Sequence, residues 1–314
     1  MTVDVVCAGP PFLDLVFRGL PRLPVAGEEI LADDVTIVPG AMANVAYALR
    51  SLDLDAIVCA PVGTDPAGRF LQALMAEASI PWSGASAAST PVSVALPIDG
   101  DRAFVTHFPT PELDVAAIAA AQPRAVVANL PLPAGFIAAL SRPSATGDDD
   151  AELAPRVIGV VGDPQVALLR QQPAGSWAEL RAVVLNEREA LQVSGRSDAT
   201  AAARELATRG CLVVVTRGER GVVAVGPDGD CHETAGVPAH ARDTVGAGDL
   251  FTAAWLWADL ADRPLDESLA VATAYAAHSL AASGAGQKGL SRTAFLEVVQ
   301  PSEGSGSWMR EVRG

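Results

Sequence analysis

Residues 182–218 read AVVLNEREALQVSGRSDATAAARELATRGCLVVVTRG. One short apolar run, AVVLNE, opens the stretch and another, CLVVVTRG, closes it, with helical sequence between. Such runs, bounded by turn signals, are the signature of strands buried on both faces. The pattern recurs in AVVANL (125–130) and VIGVVG (157–162), and earlier in VDVVCAG (Val3–Gly9) and DAIVCAPVG (55–63). AMANVAYALRSL (Ala41–Leu52) and AGRFLQALMAEAS (67–79) carry helical spacing. This alternation predicts an α/β fold: an open, doubly wound, mostly parallel sheet with helices on both faces.

Two early segments interrupt the alternation. Residues 10–39 mix prolines and glycines with the short runs LDLVF and DDVTIV, and Thr90–Phe108 reads as a hairpin turning at DGD (99–101). Both are expected to build a small accessory sheet. Ser141–Pro155 combines Pro, Gly and Ser with Asp148, Asp149 and Asp150, and reads as a solvated loop rather than a metal site. The segment 302–314 reads as a loosely held tail.

The chain has 314 residues, half of them hydrophobic, which suits a folded domain with a sizeable core. Its 22 basic and 37 acidic residues give a net charge of −15. That balance argues against nucleic acid or an anionic membrane as partner. A small anionic ligand is still compatible, because backbone N–H groups bind phosphate without a basic patch. Cys7, Cys59 and Cys211 lie in apolar runs and read as reduced core thiols. With no signal peptide and no apolar run long enough to span a bilayer, a cytoplasmic protein is expected.

The chemistry concentrates in DTVGAGDLF (Asp243–Phe251). Helical sequence (250–260) follows the glycines, so the N–H groups of Gly246, Ala247 and Gly248 are expected to converge on one spot at a helix N-terminus. Such a nest would stabilise the charge of a phosphoryl group in transfer. Spacing alone leaves Asp249 with two readings. It is either a first-turn acid favoured by the helix dipole, or a base that takes the proton of an attacking hydroxyl.

DTVGAGD resembles the C-terminal signature of the ribokinase-like (PfkB) family of carbohydrate and nucleoside kinases, and the resemblance extends over roughly Val3–Leu296. It implies a kinase domain over 1–301 in which 10–39 and 88–108 form a β-sheet lid that excludes water. It also implies an ATP-dependent phosphotransferase with Asp249 as base and Gly246, Ala247 and Gly248 as the anion hole. LNEREA (Leu185–Ala190) resembles the family's N-x-x-E motif, which puts Asn186 at the nucleotide phosphates and Glu189 on Mg²⁺ through water. Read alone, the same residues are a helix-start Asn with a solvated Glu.

By the same resemblance Thr216 and Gly218 line the ATP site, and Thr273, Ala274 and Ala277 lie on the helix beside the adenine. Asp243 and Thr244, with the loop 281–289, resemble a monovalent-cation loop suited to K⁺. Asp14, Gly40 and Asn44 fall where the family holds the acceptor. Pro39 departs from the usual glycine of PGAMAN (Pro39–Asn44). Asn129 and Gln165 also depart from the sugar-kinase pattern, and Trp255 is bulkier than the family prefers in its helix.

The acceptor expected is the hydroxymethyl group of a small neutral sugar, since clustered basic side chains are missing from the lid half. Arg102 is the one lid residue placed to reverse that by binding an anion. Two alternatives stay open. One is a nucleoside kinase, with Phe12, Phe17 or Phe108 stacking on a base. The other is a catalytically weak sugar- or nucleotide-binding sensor. Pairing of exposed lid strands between two subunits makes a homodimer the expected assembly.

Overall fold

The computed structural model describes residues 3–98, 101–109, 112–141, 154–238, 245–282 and 289–298. The chain begins β1 (Val5–Ala8), β2 (Pro11–Arg18), β3 (Asp34–Ala41), α1 (Met42–Ser51), β4 (Ala56–Cys59), β5 (Val62–Gly63) and α2 (Pro66–Glu77). Next come β6 (Trp82–Ser83), β7 (Ser86–Ala87), β8 (Val92–Ile98), β9 (Asp101–His107), α3 (Val115–Ala120), β10 (Ala125–Asn129), α4 (Phe136–Leu140), β11 (Arg156–Val160) and α5 (Val166–Leu169). The remainder is β12 (Ala182–Asn186), α6 (Glu187–Ser194), α7 (Ala199–Ala207), β13 (Leu212–Thr216), β14 (Val222–Val225), β15 (Cys231–Thr234), α8 (Ala247–Leu260), α9 (Leu265–Ala282) and α10 (Arg292–Val298).

The apolar runs form the central sheet, in the order β15-β14-β13-β12-β11-β10-β1-β4-β6. From β13 to β6 every pairing is parallel. Alternation splits each strand between two cores. Val5, Cys7, Ala125, Val127, Ala182, Val184, Leu212 and Val214 face the layer of α1, α2, α8, α9 and α10. Val6, Ala8, Val126, Ala128, Val183, Leu185, Val213 and Val215 face α3 to α7. Both faces are covered, so the strands are apolar throughout rather than alternating.

Two details differ from the sequence reading. DAIVCAPVG splits into β4 and β5, because Pro61 lacks the N–H that would continue the ladder. The sheet also carries an antiparallel edge, β14 and β15, beyond β13. Its turn closes through Gly229 N–H to Gly226 O at 3.0 Å, with Gly229 at φ 90°. The Asp228-Gly229 pair there is an ordinary hairpin signal.

The interrupting segments form a separate four-stranded sheet, β3-β2-β8-β9. Antiparallel β8 and β9 flank the expected DGD turn, whose residues 99–100 lie outside the described residues. So do residues 142–153 and 299–314, which contain the triple aspartate and the tail. Cys7, Cys59 and Cys211 are buried free thiols as expected, and Cys231 is exposed. Among the described residues no helix is long and apolar enough to cross a membrane.

Candidate active site

The candidate side chains gather at the carboxyl ends of the parallel strands, where open α/β sheets leave a crevice. Helix α8 begins at Ala247, three residues before the expected start. Gly246 is its N-cap at φ 81°, a left-handed conformation that glycine adopts without strain. Asp249 is therefore the third residue of the helix, and its own N–H joins those of Gly246, Ala247 and Gly248 as first-turn donors. The Asp249 side chain is half-buried. Its Oδ2 accepts a hydrogen bond from Asn44 Nδ2 at 2.9 Å. Burial raises the carboxyl to about 6, and the Asn44 bond pulls it the other way. The Asp249 charge in turn helps burial raise the Cys7 thiol. Trp255 sits fully inside the core behind it, a packing residue as expected.

The residues expected on the acceptor side meet where the four-stranded sheet joins the body. Gly40, at the end of β3, pairs with Phe12, and Asp14 pairs with Val38 on the neighbouring strand. The buried Asp14 carboxylate lies directly against Gly40, in the space a Cβ would occupy. Four residues on, Asn44 stands in the first turn of α1. Between them Ala41 is held at φ 52°, a positive φ uncommon for alanine. Pro39 is accommodated because β3 is an edge strand, where a missing donor disturbs the ladder least. Phe12 and Phe108 stack on each other at 5.7 Å between centroids, with 13° between planes. Phe17 lies on the opposite lid face from Phe12, by strand alternation. Arg102 pairs with Pro97 at the far end of the hairpin.

A cavity of about 370 Å³ opens on the other side of α8. Thr216, Gly218, Ala247, Gly248, Thr273 and Ala277 line it together with Phe251, Val237 and Leu280. Three separate sequence motifs thus reach one largely apolar pocket. Ala274 packs into the core instead, and Ala276 takes its place on the wall. The Thr273 hydroxyl donates to Leu269 O at 2.8 Å, so the residue presents its methyl group more readily than its oxygen. Gly218, at φ 59°, starts the short turn after β13.

Asn186 pairs in register with Thr216 across β12 and β13. It is also the N-cap of α6, in a reciprocal capping box with Glu189. Asn186 Oδ1 accepts from Glu189 N–H, and Glu189 Oε2 accepts from Asn186 N–H, each at 2.9 Å. Glu189 is 7% exposed, which overturns the solvated-Glu reading. Burial pushes its carboxyl up to about 7, against the pull of the Asn186 N–H, and the nearby Asp163 charge adds to the rise. Asn129 ends β10 with its Oδ1 against Gly9. Gln165 closes the short turn beginning at Asp163. Asp243 and Thr244, and most of the loop 281–289, lie outside the described residues. Among the described residues no group of three His, Cys, Asp or Glu side chains is arranged to hold a metal by itself.

Residues 156–291 match the model of the pfkB family carbohydrate kinases. Over 317 aligned residues the chain is 28% identical to the bifunctional protein HldE of Hyphomonas neptunium, covering 95% of this chain and 64% of that protein. A shorter match of 86 residues is 42% identical to a cytidine kinase of Thermococcus kodakarensis, covering 26% of this chain and 30% of that one. The chain thus spans less than two thirds of either curated relative. Among solved structures, the Arabidopsis thaliana ribokinase complexed with ribose and ATP superimposes with a TM-score of 0.72 at 21% identity, over 96% of this chain and all of that one.

Proposed function

We propose that this chain, whose residues 156–291 match the pfkB family carbohydrate kinases and whose fold matches that of a ribokinase, moves the γ-phosphoryl group of ATP to a hydroxymethyl group of a small sugar. One observation carries the reading. Asp249, hydrogen-bonded by Asn44, lies in the same first turn of α8 whose Ala247 and Gly248 line the 370 Å³ cavity. A base and a set of first-turn N–H donors are thereby held between a ligand-sized pocket and the lid.

In this reading ATP occupies the cavity, with its base among Phe251, Leu280 and Ala277 and its phosphates towards Gly248 and Asn186. The lid carboxylate of Asp14 accepts hydrogen bonds from the acceptor's hydroxyls, a task suited to its two oxygens. Asp249 takes the proton of the attacking hydroxyl. The acceptor oxygen bonds to the γ-phosphorus, the bond to the β,γ-bridging oxygen breaks, and ADP leaves. Charge on the transferring group is met by the N–H donors at the start of α8. A carboxyl raised to about 6 is still ionised at neutral pH and is a stronger base than an ordinary aspartate.

Glu189, with Asp163 nearby, supplies the carboxylate oxygens that Mg²⁺ prefers. When bound, Mg²⁺ would offset the phosphate charge. Because Glu189 also closes the capping box, two substitutions separate its roles. Glu189→Gln retains an oxygen for the Asn186 N–H, so the melting temperature should hold while the Mg²⁺ concentration needed for activity rises. Glu189→Ala should lose both, with about 1 kcal/mol of stability gone with the cap. Equal Mg²⁺ titrations for Gln and parent would leave Glu189 as a cap alone. A K⁺ requirement rests on Asp243 and Thr244 by sequence.

A homodimer through the lid is part of the same proposal. Ile37, Leu15, Val94 and Val105 stand in register across all four lid strands. Alternation puts this row on the face opposite Asp14, and Val105 is 66% exposed. Leu15 packs against the core, while Ile37 and Val105 at the two ends of the row are open to water and suit a second copy of the sheet. Val105→Asp should halve the mass seen by sedimentation at micromolar concentration; an unchanged mass would remove this face from the interface.

A second reading, a nucleoside kinase, is favoured by the stacked Phe12 and Phe108 pair, which offers an aromatic face beside Asp14. ADP release with MgATP across a panel of sugars and nucleosides decides between the two. Release raised by sugars supports the first reading, and release raised by nucleosides the second. No release above background with any acceptor would leave a binding protein.

A further inference from the structure

Strand β8 leaves the body of the protein at Thr90 and then runs beside β2, with Ser93 in register with Asp14. Thr90 is 1% exposed, and both of its donors end on one carboxylate. Its N–H reaches Asp65 Oδ2 at 3.1 Å, and its hydroxyl reaches Asp65 Oδ1 at 2.6 Å. Asp65 is also the N-cap of α2, where Oδ1 accepts from Gly68 N–H at 2.8 Å. A cap needs only that last bond. The other two bonds tie the root of a lid strand to the body. They also hold the Asp65 carboxyl below the usual range, the Thr90 hydroxyl contributing most.

Two glycines make the junction close enough. A Cβ on Gly63 would stand 2.7 Å from Thr90 N and 2.8 Å from Asp65 Oδ1, and one on Gly68 would stand 2.6 Å from Thr90 Oγ1. Just before Thr90 the chain is pinned again, by Thr64 N–H to Ala87 O at 2.9 Å and Val62 N–H to Ala85 O at 3.2 Å. Beyond Thr90 the strand belongs to the lid. Ser93 Oγ and Thr106 Oγ1 bond at 3.0 Å on the lid face that carries Asp14.

We propose that Asp65 is a positioning residue, which fixes the root of β8 at Thr90 and thereby sets where the lid presents Asp14 to the acceptor. Its catalytic consequence rests on the kinase reading; its structural content does not. The bonds to Thr90 are charge-assisted, and therefore stronger than neutral ones. They lie away from the nucleotide cavity, so their loss acts on one substrate and spares the other.

Asp65→Asn tests this selectively. The amide keeps an oxygen for Gly68 N–H and the Thr90 hydroxyl but turns an NH₂ group towards the Thr90 N–H, so the cap survives while the tie loses its backbone bond and its charge. Thr90→Val removes the hydroxyl at similar volume, and Thr90→Ser restores it. For Asp65→Asn and Thr90→Val the acceptor KM should rise about tenfold with the ATP KM unchanged. Amide exchange over residues 92–98 should quicken, and Thr90→Ser should behave as the parent. Equal losses for both substrates, or unchanged acceptor KM and exchange, would overturn the proposal. If the parent transfers phosphate to no acceptor, the kinase reading fails, and the exchange measurement alone decides whether Asp65 holds the strand.

Discussion

Asp249→Asn is expected to lower turnover by about 10²–10⁴-fold, the range general-base catalysis supplies, with nucleotide affinity unchanged. The substitution is nearly isosteric and leaves an oxygen to accept from Asn44 Nδ2, so the start of α8 should hold its shape. Measuring kcat and ADP affinity separately makes the test specific. Near-parent turnover would remove Asp249 from the role of base, and a parallel loss of ADP affinity would point to a collapsed helix start. The pH dependence gives a second check. Parent activity should rise through about pH 6 as Asp249 loses its proton. For stability the sign is opposite. Burial makes the folded state hold this proton more tightly than the unfolded chain, so the group's favourable contribution is complete below the ordinary aspartate range and fades as pH rises through about 6. An uncharged Asn removes that penalty, and the variant should melt no lower than the parent at pH 8. A marked fall in melting temperature there would contradict the assigned environment.

Gly40→Ala is expected to raise the acceptor KM by about 10²-fold, as the loss of two hydrogen bonds to a charged group would do. The new Cβ would enter the space of the Asp14 carboxylate, which cannot remain where it is. β3 and β2 are held in register from Pro11 to Ala41 on one side and from Arg18 to Asp34 on the other, so the side chain must yield rather than the backbone. The cavity assigned to ATP lies across α8, so ATP binding should be unaffected. Because both changes remove the same contact, Gly40→Ala combined with Asp14→Ala should be no worse than Asp14→Ala alone. Additive losses in that cycle would mean that Gly40 acts on the acceptor through something other than Asp14.

Much of this was legible from residue type and local spacing. The Val- and Ala-rich runs announced strands buried on both faces, because only a covered parallel sheet tolerates apolar residues at every position. Gly246 and Asp249 announced a helix start suited to an anion, since the donors belong to the backbone and need only a permissive residue before them. The Asn186–Glu189 spacing announced a cap, yet its environment was misjudged. Whether a carboxylate three residues into a helix meets water depends on what packs over it, and here it is 7% exposed. The hairpin β14–β15 carried its Asp-Gly turn in plain view, but followed a helical alternation that drew the reading elsewhere. Ala274 and Ala276 differ by two positions on one helix, and only the docking of α9 decides which of them faces the cavity.

By itself, then, the order of residues determined the two-sided sheet, the strands of the small accessory sheet and the glycine-started helix, all of which follow from interactions within a few residues or from periodicity. Tertiary structure decided the pairs that make a site of them. Asn44 and Asp249 are 205 positions apart and meet at 2.9 Å because α1 and α8 pack side by side on one face of the sheet. Asp14 reaches its place because Gly40, on the neighbouring strand, leaves a gap, and Asp65 reaches Thr90 across 25 positions through two glycines. No local propensity specifies such contacts. They exist because burying both faces of the sheet brings distant segments together, and the side chains at those junctions are chosen for the space and the partners they find there.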